Sequence, residues 1–91
     1  SVEADAKLQF YNSMKATHSK VISLQTNVTD YRSKLAMYSN SELLEKAFNK
    51  GEISLTEYMY ELSLYYESMY KLLEMEMNYN ISFVELNRYL Y

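Results

Sequence analysis

Few side chains in these 91 residues are of a type that does chemistry, and their spacing scatters them. His18 is the sole histidine and lies beside an apolar seam. A metal ion needs several converging ligands, so a solvated flank position is the favoured reading of His18 over a ligand. Met75 and Met77 are of the type that binds soft metals, yet residues two apart on a helix point to different sides, and packing is favoured for both. Glu57 and Glu61 stand one helical turn apart and could be read as a carboxylate pair for acid–base work. No pocket and no second catalytic type accompanies them, so a solvated or capping role is favoured. Serines are plentiful, but no nucleophile elbow or glycine-rich phosphate loop surrounds any of them. The absence of cysteine excludes disulfides, thiolate chemistry and cysteine-held zinc, and leaves the redox compartment open. A metal-dependent bundle enzyme would need Glu-x-x-His pairs, which are missing. The expectation is therefore a non-enzyme with no catalytic residue, no metal ligand and no cofactor.

Charge and hydropathy narrow the partners. The formal net charge is -3 and the nine Lys and Arg residues are dispersed, giving no basic stripe for phosphates or an anionic bilayer. No nucleic-acid partner is expected. No apolar run approaches the ~20 residues that span a bilayer as a helix, so these residues are expected to be water-soluble. The chain begins at Ser1 without a charged-then-apolar leader, and targeting is not readable from it.

The elements that carry these residues follow from periodicity. One glycine and no proline imply a single kind of regular structure. In the first half Met14, Val21, Val28 and Leu35 recur every seven residues, interleaved by Phe10, Thr17, Leu24, Tyr31 and Tyr38. This alternation of four and three draws one narrow apolar seam along a long helix, the pattern of a coiled coil. The seam falters at Glu42 and Glu45, and Leu43, Leu44, Ala47 and Phe48 resume it in a shifted phase. Ser39 to Glu42 reads as a capping box at the shift. A continuous helix with a stutter is favoured over a true break and restart, and both stay open. Asp30/Lys34, Glu42/Lys46 and Glu67/Lys71 have the favourable acid-first spacing of helical ion pairs.

The second half carries two apolar lines. Leu55, Met59, Leu62, Tyr66, Met69 and Leu73 alternate by four and three, with Met77, Ile81 and Val84 continuing in a displaced stripe. Tyr58, Tyr65, Leu72, Tyr79 and Leu86 recur at intervals of seven. A two-helix hairpin needs one seam per helix, so a wider apolar arc predicts further helices alongside. Between the halves, Asn49-Lys50-Gly51 closes the first helix: glycine suits the left-handed conformation, and Lys46 and Lys50 suit the negative end of the helix dipole. Ser54 with Glu57 three residues on forms a Ser-x-x-Glu capping box for the next helix. The predicted fold is all-α: a long antiparallel helical hairpin, helix about 3–50, turn about 51–53, helix about 54–90, with arms of ~55 to 70 Å at 1.5 Å per residue. The second apolar face predicts self-association, most simply a two-fold dimer forming a four-helix bundle.

Eleven tyrosines, eight of them from Tyr58 to Tyr91, suit half-wet surfaces such as helix interfaces or the wall of an aqueous passage. Residues 43–90 also carry a pattern: Phe48, Gly51, Ile53-Ser54-Leu55, Glu57-Tyr58-Met59, then a heptad helix reaching Tyr79-Asn80-Ile81 and Leu86. In this the chain resembles the carboxy-terminal helical hairpin of TolC-type outer membrane efflux proteins, the exit ducts of tripartite pumps. Residues 1–42 fit only as the long helix descending to the tip.

The resemblance implies that this chain is one periplasmic hairpin of a trimer whose β-barrel lies in the outer membrane, with the membrane reached only through that barrel portion. It implies a structural role in transport of small solutes or drugs, with an inner-membrane pump and a periplasmic adaptor protein as partners. Phe48, Gly51, Ser54 and Leu55 would be tip residues for docking the adaptor, and Glu57 would take the family's acidic position. Two departures bear on the charged network with which the family closes its entrance: Tyr60 and Glu61 stand where many members have small residues, and no arginine lies near the turn. No barrel strand is present, so the chain alone is not a pore. The rival reading is a soluble coiled-coil adaptor or scaffold module that binds a partner helix through the same surface.

Overall fold

The computed structural model describes residues 1–38 and 41–90. Three helices follow in order: α1 (Val2–Tyr38), α2 (Ser41–Asn49) and α3 (Leu55–Leu90). Among the described residues there is no strand, and α3 runs back along α1 and α2 as an extended hairpin measuring 74 × 18 × 17 Å. The cross-section is that of two helices side by side, each about 10 Å across with its side chains. The proposed Ser39 cap, and with it the choice between stutter and break, lies outside the described residues, as does the Tyr38 side chain.

The turn is built as the local residues dictate. Gly51 has φ 75°, the only positive φ among the described residues. Its N–H donates to the Phe48 carbonyl at 3.0 Å, and the Glu52 N–H donates to the Ala47 carbonyl at 2.9 Å. These two bonds make the Schellman closure that satisfies carbonyls left over at a helix C-terminus. Three residues after Gly51, Ser54 Oγ accepts the Glu57 N–H at 3.1 Å, capping α3. The return bond from the Glu57 carboxylate, the other half of the expected box, is not formed among the described residues. Ser54→Ala is expected to lower stability by about 1 kcal/mol, read as a fall of roughly 4–8 °C in the thermal midpoint. At the opposite end Ser1 Oγ accepts the Ala4 N–H at 3.2 Å, and Glu3 and Asp5 occupy the first turn of α1, where carboxylates oppose the positive end of the dipole.

The α1 seam packs as its spacing predicts. Val21 and Val28 are 4% and 5% exposed and are the buried hydrophobic residues of the hairpin. Met14, Thr17, Leu24, Tyr31 and Leu35 are half-buried on the same line, and beyond the phase shift Leu44, Ala47 and Phe48 take the inward positions. Phe10 is the exception, largely exposed although its ring meets Tyr89 edge-on at 5.3 Å between centroids.

For α3 the structure decides which apolar line is the seam. The inward line is Tyr65, Ser68, Leu72, Met75, Tyr79, Ser82, Leu86 and Tyr89, all buried or half-buried and alternating by three and four. Tyr58 and Leu62 extend it to the turn. The line Leu55, Met59, Tyr66, Met69 and Leu73 faces out, with only Leu62 shared between the two. The reason lies in two serines that a hydropathy pattern passes over. Ser82 is 2% exposed, and the small Ser68 leaves room for the Tyr31 ring, whose hydroxyl donates to the Ser68 carbonyl at 3.2 Å. Large rings beside small serines interdigitate, which matches shape across the seam as native packing requires.

Charges fasten the same seam from its margins. Arg32 Nη2 donates to Glu76 Oε1 at 2.6 Å between α1 and α3, and Lys71 Nζ stands 5.6 Å from the centre of the Tyr31 ring. Of the three expected ion pairs within helices, Asp30/Lys34, Glu42/Lys46 and Glu67/Lys71, none closes within 4.0 Å; the intrahelical pair that does is Glu3–Lys7 at 3.5 Å. Lys71 illustrates why: in water an exposed pair of this spacing gains only a few tenths of a kcal/mol, less than a cation gains over an aromatic face.

Candidate interaction surface

The residues flagged for chemistry stay apart. His18 is exposed on α1, Met75 lies on the α3 seam, and Met77 faces outward, so the two methionines diverge. Glu57 and Glu61 are both exposed, and Glu57 contributes its backbone N–H to the Ser54 cap. Among the described residues no group of three or more His, Cys, Asp or Glu side chains converges as a metal site. Among the described residues no helix is long and apolar enough to cross a membrane.

The arrangement instead presents surfaces. At the tip Gly51, Ser54, Leu55 and Glu57 are exposed around the turn. Phe48 is half-buried and stacked on Tyr58, with centroids 4.7 Å apart and planes 18° from parallel. The stack joins the last turn of α2 to the first of α3, so Phe48 stiffens the tip from within. Its partner Tyr58 is legible in the sequence as a member of the interval-of-seven line and of the Glu57-Tyr58-Met59 stretch, but not as the partner of Phe48.

Along one side of the hairpin the exposed α3 line, from Leu55 to Leu73, continues through Glu76 to Asn80. The Arg32–Glu76 bond ties it to a parallel line on α1 that runs Leu8, Tyr11, Lys15, His18, Ile22, Gln25, Thr29 and Arg32 at the same three-four spacing. Between the two lines lies a groove bordered by Gln25, Thr29, Arg32, Glu76 and Asn80. Further along the back of α3, Leu73, Met77, Ile81 and Val84 border a shallow, solvent-open depression of ≈ 580 Å³ with Glu85 and Arg88 on its rim. Tyr60, Tyr66 and Tyr70 are exposed on α3, whereas Tyr58, Tyr65, Tyr79 and Tyr89 are half-buried, so the tyrosines divide between seam and outer surface.

The Arg32–Glu76 pair was not singled out from the sequence. Its signal is there: opposite charges at positions flanking the two seams pair across an antiparallel coiled coil, but only once the inward line of α3 is known. Compared with protein-family models, with curated proteins and with solved structures, the chain finds no match.

Proposed function

We propose that the chain is a structural hairpin of a TolC-type outer membrane efflux duct: part of a periplasmic tunnel wall, with a tip that docks an adaptor protein. The observation that carries the structural role is the second apolar line of α3. Leu55, Met59, Tyr66, Met69 and Leu73 are between 36% and 60% exposed along a helix whose other face already packs on α1 and α2. Exposed aliphatic and aromatic side chains in a continuous row mark an interface rather than a solvent face. Neighbouring helices of a tunnel wall would cover that row, as the trimer of the full protein implies. The tip supports the docking role: Gly51 reverses the chain in a tight closure, and Ser54, Leu55 and Glu57 stand exposed beside it on a turn stiffened by the Phe48–Tyr58 stack. In isolation the same row brings two copies together as a four-helix bundle.

Two measurements test this reading. A photoreactive residue at position 55 of the full-length protein in its own cells is expected to cross-link to a periplasmic adaptor, in material that fractionates with the outer membrane. Cross-linking confined to a cytosolic partner helix would favour the rival scaffold reading and end the duct proposal. For the isolated chain, Met69→Glu with Leu73→Glu is expected to weaken self-association at least roughly tenfold in sedimentation, with helicity unchanged because both side chains point away from α1.

A further inference from the structure

We infer that two isolated hairpins pair through the backs of their α3 helices, antiparallel, about a two-fold axis at Met77; this rests on the self-association proposed above and is independent of the duct reading. At 3.6 residues per turn the side of α3 directly opposite its seam carries Tyr66, Tyr70, Leu73, Met77, Ile81 and Val84, each between 52% and 73% exposed. Leu73, Met77, Ile81 and Val84 border the open depression on the back of the helix, with Arg88 next on the same line. From Tyr66 to Arg88 the spacing is four, three, four and then the same again, an 11-residue repeat, so the stripe runs nearly straight along α3 instead of winding with the seam. Six large apolar side chains in one unbroken line form a patch of the kind that marks an interface. The matching side of α1 offers no such surface: opposite its seam stand Asn12, Ala16, Ser19, Ser23 and Thr26, all exposed. Within this chain the element that fits the stripe is a second α3.

The stripe is self-complementary when reversed. With the axis at Met77, Leu73 comes level with Ile81 of the second copy, Tyr70 with Val84, and Tyr66 with Arg88, the one charged residue on the line. Arg88 then has the Tyr66 ring before it and the Glu67 carboxylate beside it. Along that edge Glu67 and Glu85 of opposite copies stand between Arg88 and Lys71, so two carboxylates are bracketed by two cations, and Glu74 meets Asn78. On the other edge Glu76 is held by Arg32 of its own copy at 2.6 Å. In a parallel pair every residue of the stripe faces its own counterpart, which sets Arg88 against Arg88 and puts Glu74 beside Glu76. The charges therefore select the antiparallel pair. Its overlap begins near Leu64, so the two tips stand free at opposite ends.

The chain has no cysteine, so single thiols report cleanly. Met77→Cys, Tyr70→Cys and Val84→Cys are made separately, all at positions more than half exposed, with circular dichroism to check that the hairpin is intact. Met77→Cys lies on the axis and is expected to form a disulfide-linked dimer by itself on mild oxidation. A mixture of Tyr70→Cys and Val84→Cys is expected to yield roughly fivefold more linked dimer than either variant alone, since a disulfide requires Cα atoms within about 7 Å. In the inferred pair the two copies of position 70 lie on the order of 20 Å apart along the rod, at ~1.5 Å per residue. Linkage in Tyr70→Cys or Val84→Cys alone that equals the mixture would overturn the antiparallel arrangement in favour of a parallel one. A dimer in sedimentation that gives no linkage at position 77 would place the contact on another face, overturning the inference while leaving self-association standing. A monomer at all concentrations would overturn both.

Discussion

Val28→Asp is expected to unfold the free hairpin at room temperature, seen as loss of most of the helical circular dichroism signal. The seam is thin: Val28, 5% exposed, and Val21, 4% exposed, are its buried apolar side chains, and the rest of the contact comes from half-buried leucines, tyrosines and methionines. A domain of this length has a net stability of roughly 5–14 kcal/mol at ordinary values per residue, and a two-helix rod with so little interior falls toward the bottom of that range. Removing the valine forfeits ~1.5–3 kcal/mol of burial, and placing a carboxylate there without a partner adds several kcal/mol more. The sum is comparable with the whole stability. Val28→Thr, close to isosteric but with a single hydroxyl, is expected to stay folded with a loss of about 1–2 kcal/mol. Val2→Asp, at a position 88% exposed, is expected to leave the thermal midpoint unchanged. A Val28→Asp protein as helical and as heat-stable as the parent would show that the seam does not run through α1 as described.

Gly51→Val carries the second large effect, about 2 kcal/mol or roughly 10 °C in the thermal midpoint, and for a different reason. A Cβ at position 51 would meet nothing within 4 Å, so no collision is involved. The cost is conformational: φ 75° lies in the left-handed region, which a β-branched side chain avoids most strongly. Gly51→Asn is expected to recover most of the loss, because asparagine tolerates that region, and Gly51→Ala to fall between the two. Equal midpoints for the glycine, asparagine and valine proteins would mean that the turn does not depend on a left-handed residue. The same comparison bears on the tip proposed to dock an adaptor, since the closure at Gly51 sets where Ser54 and Leu55 stand.

How far the fold was legible varied with how many solutions the pattern allowed. On α1 only one apolar line exists, and it is the one that packs. At the turn the residue types admit one arrangement: a lone glycine after Lys50 and a serine three residues before Glu57 specify a helix end and a helix start from local bonds alone. The capping role expected of Ser54 is realised as a direct bond to the Glu57 N–H. Of the residues that the resemblance places at the tip, Gly51, Ser54, Leu55 and Glu57 are exposed around the turn, and Phe48 is half-buried on Tyr58, because an aromatic ring in the last turn gains more by stacking than by standing in water.

On α3 two lines satisfy the same periodicity, and counting apolar residues favours the wrong one. The more aliphatic line, Leu55 to Leu73, faces out, and the line interleaved with Ser68 and Ser82 faces in. Periodicity states which residues share a face; it does not state which face meets a given partner, because that depends on the shapes both helices bring. The sequence by itself determined the helices, the reversal at Gly51 and the seam of α1, since each follows from interactions within a few residues along the chain. Only the tertiary structure decided the inward face of α3, the Arg32–Glu76 and Tyr31–Ser68 bonds that follow from it, and thereby the apolar row left for a partner, since those depend on how rings and small side chains fit across 37 and 44 residues of separation.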